Sequence, residues 1–328
     1  MILKYHPLKL LQYVIISMVL YGHAQAEEHD GLCIFQPQLE SHLQTAQKKI
    51  SWNIDPIIWV PTNNTFQDEI TIYVHGLGDR FNVPSEDHFI NDLYCGPILF
   101  FKFQDAYNRY PLASYLGQGA DIKALVWMLK SCAMTDGIKK INLIGYSRGG
   151  ATILNTLCAL ACEDDDIYGS TELYPFTAQM IFSKIHAIVL ICPLLHVASA
   201  VKSNTARTAK PKNKFITAVG WVTHTALLPL ATGGKYNPFG YQPINSAYAL
   251  GNKTKWKITI PSLYVLFQSR DRVVSTDYQS KLQKYLEPIT NTLHVITGDG
   301  THSNWSSSSW DELIKVYKAH ECKACVEC

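Results

Sequence analysis

At residues 145–150 the chain reads Gly-Tyr-Ser-Arg-Gly-Gly, a serine set among glycines. A serine hydroxyl is a poor nucleophile until it is exposed, held in place and deprotonated by a base. A sharp turn from a strand into a helix supplies the exposure, but it leaves no room for side chains two positions to either side of the serine. Gly145 and Gly149 meet that demand, and Gly150 lets the following helix pack closely. The helix N-terminus behind Ser147 favours negative charge as it develops. The chemistry this points to is acyl transfer through Ser147. It calls for an imidazole to take the proton and a carboxylate to orient the imidazole.

The elements that must position such groups are legible from about residue 69 onward. Apolar, β-branched runs at 69–75, 98–103, 140–144, 186–192, 262–267 and 293–296 read as strands. Helical spacing appears at 121–132, at 148–162, around Tyr278, Leu282, Tyr285 and Leu286, and briefly within 85–93. A capping box from Ser309 to Glu312 opens the closing helix. Ser147 thus falls where strand 140–144 runs into helix 148–162, the context that separates this motif from a chance match. Strands too apolar to have a wet face, alternating with helices, predict an α/β fold with a mainly parallel sheet covered on both sides. Residues 27–68 are too weakly patterned to place a strand. Residues 196–257 form an excursion too long for an ordinary connection and are expected to carry structure of their own.

The segment INLIGYSRGG resembles the nucleophile elbow of the α/β-hydrolase superfamily, and the likeness in element order runs over residues 69–320. It implies the α/β-hydrolase fold with a cap or lid insertion, and the activity of a lipase- or esterase-like serine hydrolase. The stretch His75-Gly76-Leu77-Gly78-Asp79 is similar to the His-Gly segment after the corresponding strand in lipases and esterases. By that likeness the backbone N–H groups of Leu77 and Arg148 form the oxyanion hole, with Gly78 in reserve and His75 structural. The family's chain order is serine, acid, histidine, which leaves His186, His196, His224, His294, His302 and His320. His302 is chosen because its loop follows the final strand and reaches the end of the sheet that carries Ser147. Asp271, in QSRDRVV, is similar to the family's acid loop, although Gln268 stands near where the family often has glycine. Asp277 is expected to open a helix instead, and Asp299 would need an unusual loop to serve His302.

Composition narrows the class further. With 47% hydrophobic and 17% charged residues in 328, the chain can fill a large core and is too weakly charged for disorder or nucleic-acid binding. Residues 1–26 read as a signal peptide, with Lys4, His6 and Lys9 ahead of a short apolar stretch and Ala24-Gln25-Ala26 as the cleavage site. The apolar stretch falls short of the roughly 20 residues that cross a bilayer, so cleavage and a secreted or periplasmic location are expected. Cleavage would take 29 cations to 27 against 27 acids, giving no general attraction to polyanions. Residues 27–328 then form one hydrolase domain with 321–328 as a cysteine-rich tail.

The nine cysteines, at 33, 95, 132, 158, 162, 192, 322, 325 and 328, suit an oxidising compartment. Their odd number leaves one free or paired between molecules. For the tail, disulfides to the body are expected ahead of a metal held with His320. Cys158 and Cys162 read as core residues, and the acidic run 163–166 as a solvated turn rather than a calcium site.

Residues 202–214 carry Lys202, Arg207, Lys210, Lys212 and Lys214 with no acid, and 215–231 are apolar. By the resemblance, 196–257 is the cap, its apolar part walls an acyl chain, and the basic run suits an anionic membrane surface. The expected substrate is a small-molecule or lipid ester, with no nucleic acid, cofactor or metal. The expected reaction is carboxylic-ester hydrolysis through an acyl-enzyme on Ser147. The same groups would serve a thioesterase, acyltransferase or peptidase, and a non-catalytic binding protein on this fold is the third reading.

Overall fold

A computed structural model of the chain describes residues 35–50, 57–59, 68–76, 89–93, 96–103, 117–164, 175–197, 200, 222–231, 236–252, 254 and 257–321. The expected signal peptide, Leu77 and Gly78, the basic run 202–214 and the cysteines of the tail lie outside the described residues.

Seven described strands form one sheet. They are β1 (Ile57–Trp59), β2 (Glu69–Val74), β3 (Ile98–Phe101), β4 (Lys140–Tyr146), β5 (Ile185–Ile191), β6 (Ile260–Gln268) and β7 (Thr290–Gly298), in the spatial order β1-β3-β2-β4-β5-β6-β7. Only β1 runs antiparallel, against β3, and every other pairing is parallel. The register of β6 against β7 is unbroken from Ile260↔Thr290 to Gln268↔Gly298. The predicted α/β class with a mainly parallel sheet is the one observed.

The described α-helices are α1 (Gln36–Ile50), α2 (Ala120–Met134), α3 (Arg148–Cys162), α4 (Pro175–Lys184), α5 (Leu228–Ala231), α6 (Pro243–Asn252), α7 (Thr276–Leu286) and α8 (Ser307–Glu321). Side chains alternate across each strand, and the sheet accordingly feeds two cores. Ile70, Ile72 and Val74 pack with Leu125 and Leu129 of α2, Leu157 of α3, Leu250 of α6 and Leu282 of α7. Tyr73, Phe100, Val189 and Tyr264 pack on the other face with Leu313 and Tyr317 of α8. Helix α3 is buried along nearly its whole length, as its all-round apolar pattern predicts.

The sequence pattern missed α1, α4 and β1. Helix α1 buries only Leu39, Leu43 and Ala46 from a segment rich in Gln and Lys, too narrow a stripe to stand out. Helix α4 runs into β5 with no break between Lys184 and Ile185, so the two merge into one apolar run. The capping box is displaced. Helix α8 begins at Ser307, and Ser309 sits in its first turn with its hydroxyl donating to Ser306 O. Within the long excursion, residues 223–227 form a π-helical turn leading into α5, and α6 lies between α3 and α7 with Ile244, Ala247 and Leu250 in the core.

The chain progresses from β2 to β3 on one side, then crosses to β4 on the other. In open parallel sheets such a reversal leaves a crevice at the carboxyl ends of the strands, where ligands bind. His75 leaves β2 and Ser147 leaves β4 at that point.

Candidate active site

Ser147 occupies the single residue between β4 and α3, with φ 52° and ψ −109°. A non-glycine residue there costs on the order of 1–3 kcal/mol and persists only where its surroundings enforce it. Three hydrogen bonds do so: Ser147 N–H donates to Ile191 O at 2.9 Å, and Ser147 O accepts from Leu194 N at 3.0 Å and Ala151 N at 3.1 Å. A Cβ on Gly149 would run into Val74 O, and one on Gly145 would lie 2.7 Å from Gly150 N. Both glycines are therefore required by contact.

The structure brings Ser147, His302 and Asp271 together. His302 Nε2 lies 2.7 Å from Ser147 Oγ, and His302 Nδ1 lies 2.8 Å from Asp271 Oδ2. A carboxylate only accepts, so Nδ1 carries the proton and Nε2 is left to accept the serine O–H. The second oxygen of Asp271 accepts from the backbone N–H groups of Val273 (2.7 Å) and Val274 (3.1 Å), which fix the carboxylate plane. Ser147 and Asp271 are each 8% exposed, and the side chain of His302 is 16% exposed. In such a poorly solvated site each of these hydrogen bonds is stronger than in water. The set can take the proton from a hydroxyl and return it to a leaving group.

Four supporting residues escaped the sequence reading. Gln268, at the end of β6, is fully buried; its Oε1 accepts from Gly300 N at 2.7 Å and its Nε2 donates to Ser309 Oγ at 3.0 Å. The residue that departs from the family's glycine thus ties the acid loop, the histidine loop and α8 to one another. Tyr146 Oη and Trp305 Nε1 both donate to His302 O, each at 3.1 Å, and hold the base from behind. Cys192 follows β5 with φ 43°, and its sulfur lies within 4.8 Å of a carboxylate oxygen of Asp271. Burial and the neighbouring negative charge push that thiol well above its ordinary value. Only Tyr146 carried a usable signal, as neighbour of the serine; nothing in the spacing marks the others.

The expected oxyanion donors divide. Arg148 is the first residue of α3, and the first N–H groups of a helix have no partner within it. Leu77 lies outside the described residues. The Arg148 side chain, which the sequence left unused, is buried and pairs with Asp121 at 2.8 Å. Its guanidinium also stacks 3.6 Å from the centre of the Phe103 ring. Asp121 accepts in addition from Gly117 N at 2.9 Å. His75 Nδ1 donates to Gly76 O at 2.8 Å and its ring packs edge-on against Phe103. That contact holds the turn after β2.

The competing residues are placed elsewhere. Asp299 pairs with Arg270 at 2.8 Å on an exposed surface, and Asp277 lies in the first turn of α7. His196 stacks on Tyr278, and His294 lies between Tyr264 and His320. Asp164 accepts from Tyr241 Oη. The Sγ atoms of Cys158 and Cys162 are 3.9 Å apart within α3, a thiol–thiol hydrogen bond and not a disulfide.

No family model and no curated protein sequence matches the chain. Solved structures do. Propionate-bound esterase 2 from Thermogutta terrifontis is 13% identical with a TM-score of 0.50, over 83% of this chain and 90% of that one. The same enzyme phosphoramylated by tabun is 12% identical with a TM-score of 0.50, over the same shares. The esterase Pf2001 from Pyrococcus furiosus is 15% identical with a TM-score of 0.46, over 83% of this chain and 94% of that one. At such identities the likeness is one of architecture, and it agrees with the sheet order and the turn at Ser147: the chain has the α/β-hydrolase fold.

Proposed function

We propose that the protein is a serine hydrolase that cleaves carboxylic esters through an acyl-enzyme on Ser147. The observation that carries this reading is the unbroken chain of contacts from Ser147 Oγ through His302 to Asp271, at 2.7 and 2.8 Å. In this reading His302 takes the serine proton as the hydroxyl attacks the ester carbonyl and returns it to the departing alcohol. Asp271 holds the imidazole in the required tautomer and balances the imidazolium charge. The N–H groups of Arg148 and Leu77 stabilise the oxyanion. Water then repeats the sequence on the acyl-enzyme. The esterase of like fold that tabun phosphoramylates supports the choice of ester over thioester or peptide, and also the choice of probe.

A fluorophosphonate should label the wild type and leave Ser147→Ala unlabelled, while other serine variants keep the label. Labelling that persists in Ser147→Ala overturns the assignment. A panel of p-nitrophenyl esters of graded chain length, run beside a thioester and a peptide, then separates ester hydrolysis from the other acyl-transfer reactions. Export rests on the pattern of residues 1–26, and the role of 196–257 as a cap on its position between β5 and β6. Both belong to the same proposal.

A further inference from the structure

Strand β5 lies between β4 and β6, so the residue that follows it is delivered between the serine and the acid. That residue is Cys192, fully buried, with its backbone pinned by Cys192 N–H donating to Leu266 O at 2.8 Å. One sulfur of Cys192, one carboxylate oxygen of Asp271 and one ring nitrogen of His302 all lie within 4.8 Å of one another. Among the described residues no other set of three such ligands converges in this way. An Asp–His pair alone offers two ligands; here a sulfur makes a third. Thiolate, imidazole and carboxylate are the groups that zinc takes, at about 2.0–2.3 Å, and in a tetrahedral site they stand about 3.3–3.8 Å apart. A metal that takes Nδ1 must part it from Asp271 Oδ2, now 2.8 Å away, by about 0.5–1 Å to reach that geometry.

We propose that Cys192, Asp271 and His302 form an inhibitory site for a thiophilic divalent cation, of which Zn²⁺ is the best fit. The inference rests on the reading of His302 and Asp271 as the proton relay for Ser147. Occupancy and turnover exclude each other whichever ring nitrogen the metal takes. Nε2 is the atom that faces Ser147, and Nδ1 is the atom that faces Asp271. Binding exchanges the thiol proton for the cation and releases that proton to solvent; where the metal takes Nδ1, the ring proton moves to Nε2, which then can no longer accept from Ser147. Chelation of the metal restores the relay, so the inhibition is reversible.

The test uses the full chain, stripped with EDTA and titrated with ZnCl₂ during hydrolysis of p-nitrophenyl butyrate. Each variant is referred to its own metal-free rate. Cys192→Ala and Cys192→Ser should each raise the half-inhibitory Zn²⁺ concentration at least about tenfold, since losing a ligand costs no less than losing a partner of a ligand. EDTA should restore the wild-type rate. A second readout does not depend on turnover. In the Ser147→Ala background, Co²⁺ should give a cobalt–thiolate charge-transfer band that disappears when Cys192→Ser is added. Equal Zn²⁺ sensitivity in all three proteins, together with no Cys192-dependent band, overturns the inference. Where Cys192→Ala does not fold, the serine variant carries both comparisons. A Cys192-dependent band in a protein that neither hydrolyses esters nor reacts with a fluorophosphonate keeps the metal site and sinks the hydrolase reading instead.

Discussion

The imidazole of His302 is held by contacts of unequal kind. Two donors, Tyr146 Oη and Trp305 Nε1, fix its backbone carbonyl, and Asp271 Oδ2 fixes its ring. Asp271→Asn keeps the shape but can donate from its amide, which permits the wrong tautomer at His302. The expected loss in kcat is about 10⁴-fold, with the fold and KM nearly unchanged, as steady-state kinetics and circular dichroism will tell. At this scale much was legible. Ser147 declares itself through the glycines that its turn demands, and His302 and Asp271 through their places after the last two long strands. The supporting residues were not legible, because a Gln, a Cys and a Trp become informative only once folding sets them against a particular carbonyl, carboxylate or amide. Arg148 shows the same limit from the other side. The sequence assigned its backbone to the oxyanion hole and left aside its side chain, whose buried pairing with Asp121 depends on where α2 comes to rest.

The loop after β6 and the loop after β7 act as one unit because Gln268 spans them. A Cβ on Gly298 would run into Ser309 Oγ and lie 2.5 Å from Gln268 Oε1, and one on Gly300 would run into Asn304 O and lie 2.7 Å from the same Oε1, so these contacts together require both glycines. Gln268→Ala strands a buried N–H on Gly300 and leaves Ser309 without that donor. Such groups cost about 1–3 kcal/mol when buried and unsatisfied. Loosening the histidine loop should also lower kcat by about 10–100-fold, the penalty of small misplacement in a relay. Thermal melting and kcat are expected to fall together; a lower melting point with kcat intact would confine Gln268 to stability. Elements with continuous apolar runs, β2 through β7, could be read directly from the sequence. Helix α1 and strand β1 could not, since three buried residues in a polar segment and a three-residue edge strand carry little periodicity.

At the scale of the whole molecule, thiols among the described residues are buried in both the scaffold and the site, at Cys132, Cys158 and Cys192. Cys132, inside α2, is pushed from 9.0 up to about 12 by burial. The folded state therefore holds this proton more tightly than the unfolded state does. The stability that follows is complete below pH 9 and is lost as pH rises through about 12. Denaturant melts should show stability declining above pH 9, and Cys132→Ala should decline less steeply over the same range. Identical slopes in the two proteins would remove Cys132 from the account. The overall class, an α/β sheet covered on both faces, followed from apolar strands alternating with helices. The packing of α6 into the main core did not, because its apolar residues sit inside a segment whose length argued for a separate structure.

The unbroken register between β6 and β7 has a consequence for what the chain can tolerate. Gln268 and Gly298 are the last paired residues, and the acid follows three positions beyond one, the base four beyond the other. Both side chains leave the sheet at the same height, with no slack in either short arm. Lengthening the crossover through α7 leaves that count untouched, whereas a single residue inserted at 269–270 or 299–301 swings carboxylate and imidazole out of phase while the strands beneath stay paired. The proton path is thus measured out in residues, and its tolerance is less than one.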